Sequence, residues 1–126
     1  MRYINRKNEI TMSRGDTETI TLYIFYGDDS CIYLPDSTDK VFFALMEANQ
    51  DFEFAIVKKV YDSTIVTYDD KKITIKIKLD SIDTEFLNTG TYFYTIKILL
   101  KKNADDKDNQ GIVKTLIDRT KLILID

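Results

Sequence analysis

The stretch Lys72-Ile-Thr-Ile-Lys-Ile-Lys-Leu79 decides the fold class. Ile73, Ile75, Ile77 and Leu79 share one face at a period of two, and Lys72, Thr74, Lys76 and Lys78 share the other. A helix would spread the four apolar residues around its circumference, whereas a strand gathers them on one side and leaves the lysines in water. The stretch therefore predicts an antiparallel strand with one buried face and one wet face.

The same period runs outward in both directions. In Glu18–Tyr26, Ile20, Leu22, Ile24 and Tyr26 alternate with Thr19, Thr21, Tyr23 and Phe25. In Thr91–Lys101, Tyr92, Tyr94, Ile96, Ile98 and Leu100 alternate with Phe93, Thr95, Lys97, Leu99 and Lys101. Val41–Glu47 is apolar on both faces, which predicts a central strand or one lying under a second layer. Phe54–Val60 and Thr64–Tyr68 predict shorter strands, and Glu9–Ser13 predicts a short strand near the start. From Gly111, Val113, Thr115 and Ile117 alternate with Ile112, Lys114 and Leu116, before the continuous apolar run Leu122 to Ile125.

Pro35, Gly15, Gly27, Gly90 and Gly111 all fall between these segments, where turns need them. Seven or eight such strands in one 126-residue chain predict a single all-β domain over 1–126, an antiparallel β-sandwich. Residues 1–8 would form an N-terminal arm, and a small closed barrel is the alternative architecture.

One segment, Asp80–Gly90, breaks the period. It predicts a short helical turn near 81–87, N-capped by Ser81, pinned to the core by Ile82 and Phe86, and ended by Gly90. The following spacing, Asn88-x-Gly90-x-Tyr92, resembles the tyrosine corner of immunoglobulin-like sandwiches. On that resemblance, 72–79 is strand E, 91–101 strand F, and 111–118 the start of strand G. The sandwich is then of the wider immunoglobulin-like class, without the cysteines and tryptophan of antibody domains.

Arg14-Gly15-Asp16 is the tripeptide that integrins read, yet its setting predicts a turn between two strands. Gly15 supplies positive φ and Asp16 a local hydrogen bond, so integrin binding is not expected.

Composition excludes several chemistries. There is no histidine, which removes His-activated nucleophiles and the commonest transition-metal ligand. One cysteine, Cys31, allows no intramolecular disulfide, and no basic neighbour lies close enough to lower its pKa. Net charge is −3 and the lysines alternate along strands, so no nucleic-acid surface is expected. Met1–Ile10 lacks an apolar core, so no signal peptide is expected, and no apolar run is long enough to span a membrane.

Glu47, Glu53 and Glu85 are the candidate catalytic carboxylates, with Glu47 expected to be half-buried. Asp28-Asp29, Asp69-Asp70 and Asp105-Asp106 read as loop residues. Asp105–Gly111 resembles the first half of a calcium loop, but Ile117 stands where the bidentate Glu belongs. No glycine-rich phosphate loop occurs. No catalytic, metal or cofactor-binding residue is assigned, and no enzyme activity or cofactor is expected.

What remains is contact. Val41–Glu47 and Thr91–Lys101 carry apolar residues on both faces, and a two-layer sandwich buries only one. Phe42, Met46, Phe93 and Leu99 are therefore candidate interface residues, joined by Leu122 and Leu124 of the C-terminal run. The alternative is a carbohydrate-binding sandwich module of a larger bacterial protein, with Tyr33 and Tyr68 as contact residues beside Tyr3 and Tyr61.

The order of these segments resembles the N-terminal domain of the phage baseplate upper protein and related tail-associated sandwich domains. The resemblance spans most of the chain: Ile10–Ile24 with its Gly15-Asp16 turn, Asp39–Glu47, Phe54–Val60, Ile73–Ile98 and Gly111–Ile125. In that family a Leu-x-x-Gly-x-Tyr-x-Tyr leads into a long strand, as Leu87, Gly90, Tyr92 and Tyr94 do here. The resemblance implies a virion or prophage tail component, assembled in the bacterial cytoplasm. It would dock onto other tail or baseplate subunits or onto copies of itself, with no catalytic residues. Family members often carry a C-terminal extension; here Asp126 follows the last strand directly, which reads as one domain of a longer protein or a short stand-alone member.

Overall fold

The computed structural model describes residues 2–4, 7–25, 40–69, 72–100 and 112–126. Nine strands form among them: β1 (Arg2–Ile4), β2 (Ile10–Ser13), β3 (Glu18–Phe25), β4 (Lys40–Met46), β5 (Val57–Asp62), β6 (Val66–Asp69), β7 (Lys72–Leu79), β8 (Gly90–Leu100) and β9 (Ile112–Ile125). One helical turn, α1 (Ser81–Thr84), joins β7 to β8. The chain is all-β, and its strands divide between a six-stranded sheet, β1-β2-β9-β8-β4-β5, and a three-stranded sheet, β3-β7-β6.

This order is that of an immunoglobulin-like sandwich. β3, β7 and β6 take the B, E and D positions, and β9, β8, β4 and β5 take G, F, C and C′. β2 pairs with β9 in parallel, Ile10 opposite Leu122 through Ser13 opposite Ile125, while the other pairings are antiparallel. The strand beyond the expected seven or eight lies in the expected N-terminal arm, where β1 pairs with β2.

Alternation sets the core. Ile20 and Leu22 of β3 and Ile73 to Leu79 of β7 face Val41, Phe43 and Leu45 of β4 and Tyr92 to Ile98 of β8. Each large apolar side chain so buried contributes about 1.5–3 kcal/mol, so this layer rather than any turn holds the sheets together. Phe43 and Tyr94 stack at its centre, ring centroids 5.7 Å apart. Burial pushes the Tyr94 phenol well above its ordinary range, and its hydroxyl donates to Asn8 O at 2.6 Å.

Several local expectations change. The strand expected over Phe54–Val60 starts at Val57, because Phe52–Phe54 winds as a 3-10 turn. That expected over Thr64–Tyr68 starts at Val66, because Ser63–Ile65 winds likewise, with Asp62 accepting from the Thr64 N–H at 3.0 Å. In α1 the cap is Asp80 rather than Ser81. Asp80 is extended, its N–H donates to the Asp83 carboxylate at 2.7 Å, and its carbonyl accepts from Asp83 N at 2.9 Å.

Ile82 and Phe86 do not reach the core; they are 68% and 66% exposed, while Thr84 and Leu87 are buried. A four-residue spacing puts two side chains on one side of a turn but does not say which side faces inward. Here Thr84 fixes the orientation, its Oγ1 accepting from the Gly15 N–H at 2.8 Å.

Candidate functional site

The outward face of the six-stranded sheet is built from register. Phe42, Ala44 and Met46 of β4 lie beside Lys97, Thr95 and Phe93 of β8, and beside Val60 and Lys58 of β5. Leu99 lies between Lys40 and Val113. Part of this face is covered by the chain itself. The connection between β4 and β5 folds back over it, with the Phe52 ring 4.4 Å from Lys97 Nζ and 6.0 Å from Lys58 Nζ. Ala44 and Thr95 are buried there.

Arg119 ties the connection down. Its guanidinium donates to Gln50 O and Ala48 O, both at 2.7 Å, and lies 5.4 Å from the Phe93 ring. The reach comes from a bulge: β9 sets two residues, Asp118 and Arg119, against Thr95. Arg119 takes φ 38°, and its N–H donates to Thr95 Oγ1 at 3.1 Å.

Of the candidate interface residues, Phe42, Phe93 and Leu99 lie on this face and are half-buried. Met46 is on the same face but buried, so it offers no surface. Leu122 and Leu124 are core residues, and the edge of β9 beside them is paired with β2. The sequence could not choose between these roles, because a continuous apolar run has no wet side to mark its outward face. The uncovered end of the face carries Val60 and Val113, 60% and 57% exposed, beside Phe42 and Leu99. Phe54 on the folded-back connection is also exposed.

The corner residues come together at one end of the sandwich. Tyr92 Oη donates to Asn88 O at 2.8 Å, the tyrosine-corner bond, after Gly90 at φ 147°. Gly15, at φ 81°, and Asp16, whose N–H donates to Ser13 O at 3.3 Å, turn beside it. Arg14 is no idle surface residue: its guanidinium donates to Leu87 O at 3.2 Å and pairs with Asp126 at 3.3 Å. The Arg-Gly-Asp segment is thus tied into the fold at both Arg14 and Gly15.

Sequence reasoning missed Lys59. It sits on β5 opposite Phe43, on the inward side, and its ammonium meets Asp83 at 2.7 Å, Asp80 at 3.2 Å and Lys78 O at 3.2 Å. Tyr61 Oη donates to Lys78 O at 2.6 Å alongside. Burial pulls the Lys59 pKa down, but the hydrogen bonds to Asp83 and Asp80, together with the charges of Tyr61 and Asp83, outweigh it and leave it raised. Burial pushes Tyr61 up to about 12. This cluster latches the edge of one sheet to the end of the other. The signal was present, since alternation places Lys59 between Val57 and Tyr61 on the inward face.

A shallow, open hollow of about 330 Å³ lies among Glu47, Ala48, Asn49, Thr89, Gly90, Thr91 and Tyr92. Glu47 is its single carboxylate and is exposed, not half-buried. Among the described residues no group of three or more Cys, Asp or Glu is placed to hold a metal ion. No helix among them is long and apolar enough to cross a membrane. Cys31, Tyr33, Asp28-Asp29 and Asp105–Gly111 lie outside the described residues, as do the side chains of Tyr3 and Tyr68. Compared with protein-family models, curated proteins and solved structures, the chain finds no significant match in any of the three.

Proposed function

We propose that the chain is a non-enzymatic structural sandwich that works by protein–protein contact, as a component of a phage or prophage tail or baseplate. One observation carries the contact reading: Val60 is well exposed beside Phe42, and Val113 beside Leu99, at the end of a sheet face that the chain otherwise partly covers itself. Solvated apolar clusters of this kind are the usual mark of an interface. The tail assignment rests on the sequence resemblance. In that setting the sandwich is an assembled part of the virion.

Two measurements test the reading. Genes for tail fibres, holin and lysin should flank the coding sequence; a metabolic operon there would remove the tail assignment. Val113→Glu, at an exposed position, should leave the fold intact and abolish co-purification with the products of those neighbouring genes. Undiminished capture would remove the outer face from the contact.

A further inference from the structure

We infer that β5 is a self-pairing edge: two copies join by an antiparallel ladder centred on Val60, extending the six-stranded sheet through the dimer. The inference rests on the reading of the outer face as a contact surface, and it names a partner, a second copy of this chain.

Among the described residues β5 pairs on one side only, with β4, and ends the sheet. Its outward residues run Lys58, Val60, Asp62: a cation, an exposed apolar residue and an anion. Directly opposed residues of an antiparallel pair point to the same face. A two-fold ladder that keeps the outer faces together must therefore centre on a residue. Centring on Lys58 or Asp62 sets like charges against each other. Centring on Lys59 sets two inward lysines together, and centring on Tyr61 sets Val60 against Asp62. Centring on Val60 alone puts Val60 against Val60 and each Lys58 against Asp62 of the second copy.

That register also extends what lies behind it. Phe42 is the β4 neighbour of Val60, so the ladder forms one apolar row, Phe42–Val60–Val60–Phe42, across the joint. Asp62 would then lie between Lys40, its β4 neighbour, and Lys58 of the second copy. Lys58 also donates to Glu53 O at 2.5 Å, leaving two of its three N–H groups for this pairing.

An inward lysine on an edge strand usually guards against such pairing. Here Lys59 is neutralised by Asp83 and Asp80 within its own chain, so it presents no bare charge to an incoming strand.

One six-residue strand makes a weak joint, so sedimentation equilibrium at high protein concentration is the readout. The wild-type chain should show a reversible monomer–dimer equilibrium. Val60→Lys should weaken it at least about tenfold, because it sets like charges face to face at the centre. Lys58→Asp and Asp62→Lys should each abolish it when alone. Mixed together they should form heterodimers, since both 58–62 pairs then join opposite charges. Thermal melts verify that Asp62→Lys, which removes the acceptor for Thr64, still folds; Val60→Lys touches no such bond. A wild-type chain that stays monomeric, or association unmoved by Val60→Lys and by both charge reversals, overturns the inference. A strict monomer that still captures a neighbouring-gene product through Val113 would sink self-pairing alone and leave the contact reading standing.

Discussion

Asn8 holds the main chain of Tyr23 at both its polar atoms: Asn8 Nδ2 donates to Tyr23 O at 2.8 Å and Asn8 Oδ1 accepts from Tyr23 N at 3.4 Å. β3 is the edge of the three-stranded sheet, and at Tyr23 a side-chain amide takes the place of a neighbouring strand. Asn8 sits at φ 61°, a conformation asparagine tolerates better than most residues. Replacing it with alanine adds backbone strain and removes both bonds. Asn8→Ala should cost about 1–2 kcal/mol, and Asn8→Gly somewhat less. In both, amide exchange at Tyr23 should speed up relative to the other β3 amides, as followed by NMR.

Tyr92→Phe isolates the corner bond. The ring still packs, but Asn88 O loses its donor. The expected loss is about 1 kcal/mol in chemical denaturation, with an unchanged denaturant slope. A loss below about 0.3 kcal/mol would mean that the corner is held by packing alone.

Lys59→Met removes the cation between Asp83 and Asp80. The mostly buried Asp83 is then left beside a second carboxylate without its counter-ion. Because the cluster is partly solvated, the cost should be about 1–2 kcal/mol rather than that of a fully buried pair. Lys59→Met combined with Asp83→Asn should recover part of it, which a double-mutant cycle measures.

Alkali should loosen the same latch. Tyr61 titrates near 12 in the folded chain against an ordinary value of 10.0, and Lys59 is raised as well. A group whose pKa is higher when folded binds its proton more tightly in the native state. The stability it contributes is therefore whole below pH 10 and drains away as pH climbs towards 12. Melting temperature should fall across that window, and Tyr61→Phe should flatten the fall.

Much of the fold was legible because two-residue alternation is a strong signal. The inward sets of β3, β7 and β8 were all readable, and so was the corner joining Asn88, Gly90 and Tyr92. What escaped was information that spacing does not carry. Ile82 and Phe86 share a side of one turn, but only the distant Gly15 decides which side faces inward. Arg14 finds its partners 73 and 112 residues away. Arg119 gains its reach from a bulge that no glycine marks, so the covering of Ala44, Met46 and Phe93 was invisible while the apolar residues themselves were plain. The candidate contact face was accordingly drawn too wide, taking in Met46, Leu122 and Leu124.

The parallel ladder of β2 against β9 also orders events in time. Ile10 to Ser13 are made long before their partners, Leu122 to Ile125. During synthesis Ile10 and Met12 can pair with β1 but have no β9 to join until Leu122 to Ile125 have left the ribosome. Arg14, whose N–H donates to Ile125 O at 2.7 Å, waits equally long. The hairpins can close as they emerge, but this seam cannot. On the nascent chain the apolar edge of β9's future neighbour is a standing invitation to a chaperone or to the next polypeptide on the same message.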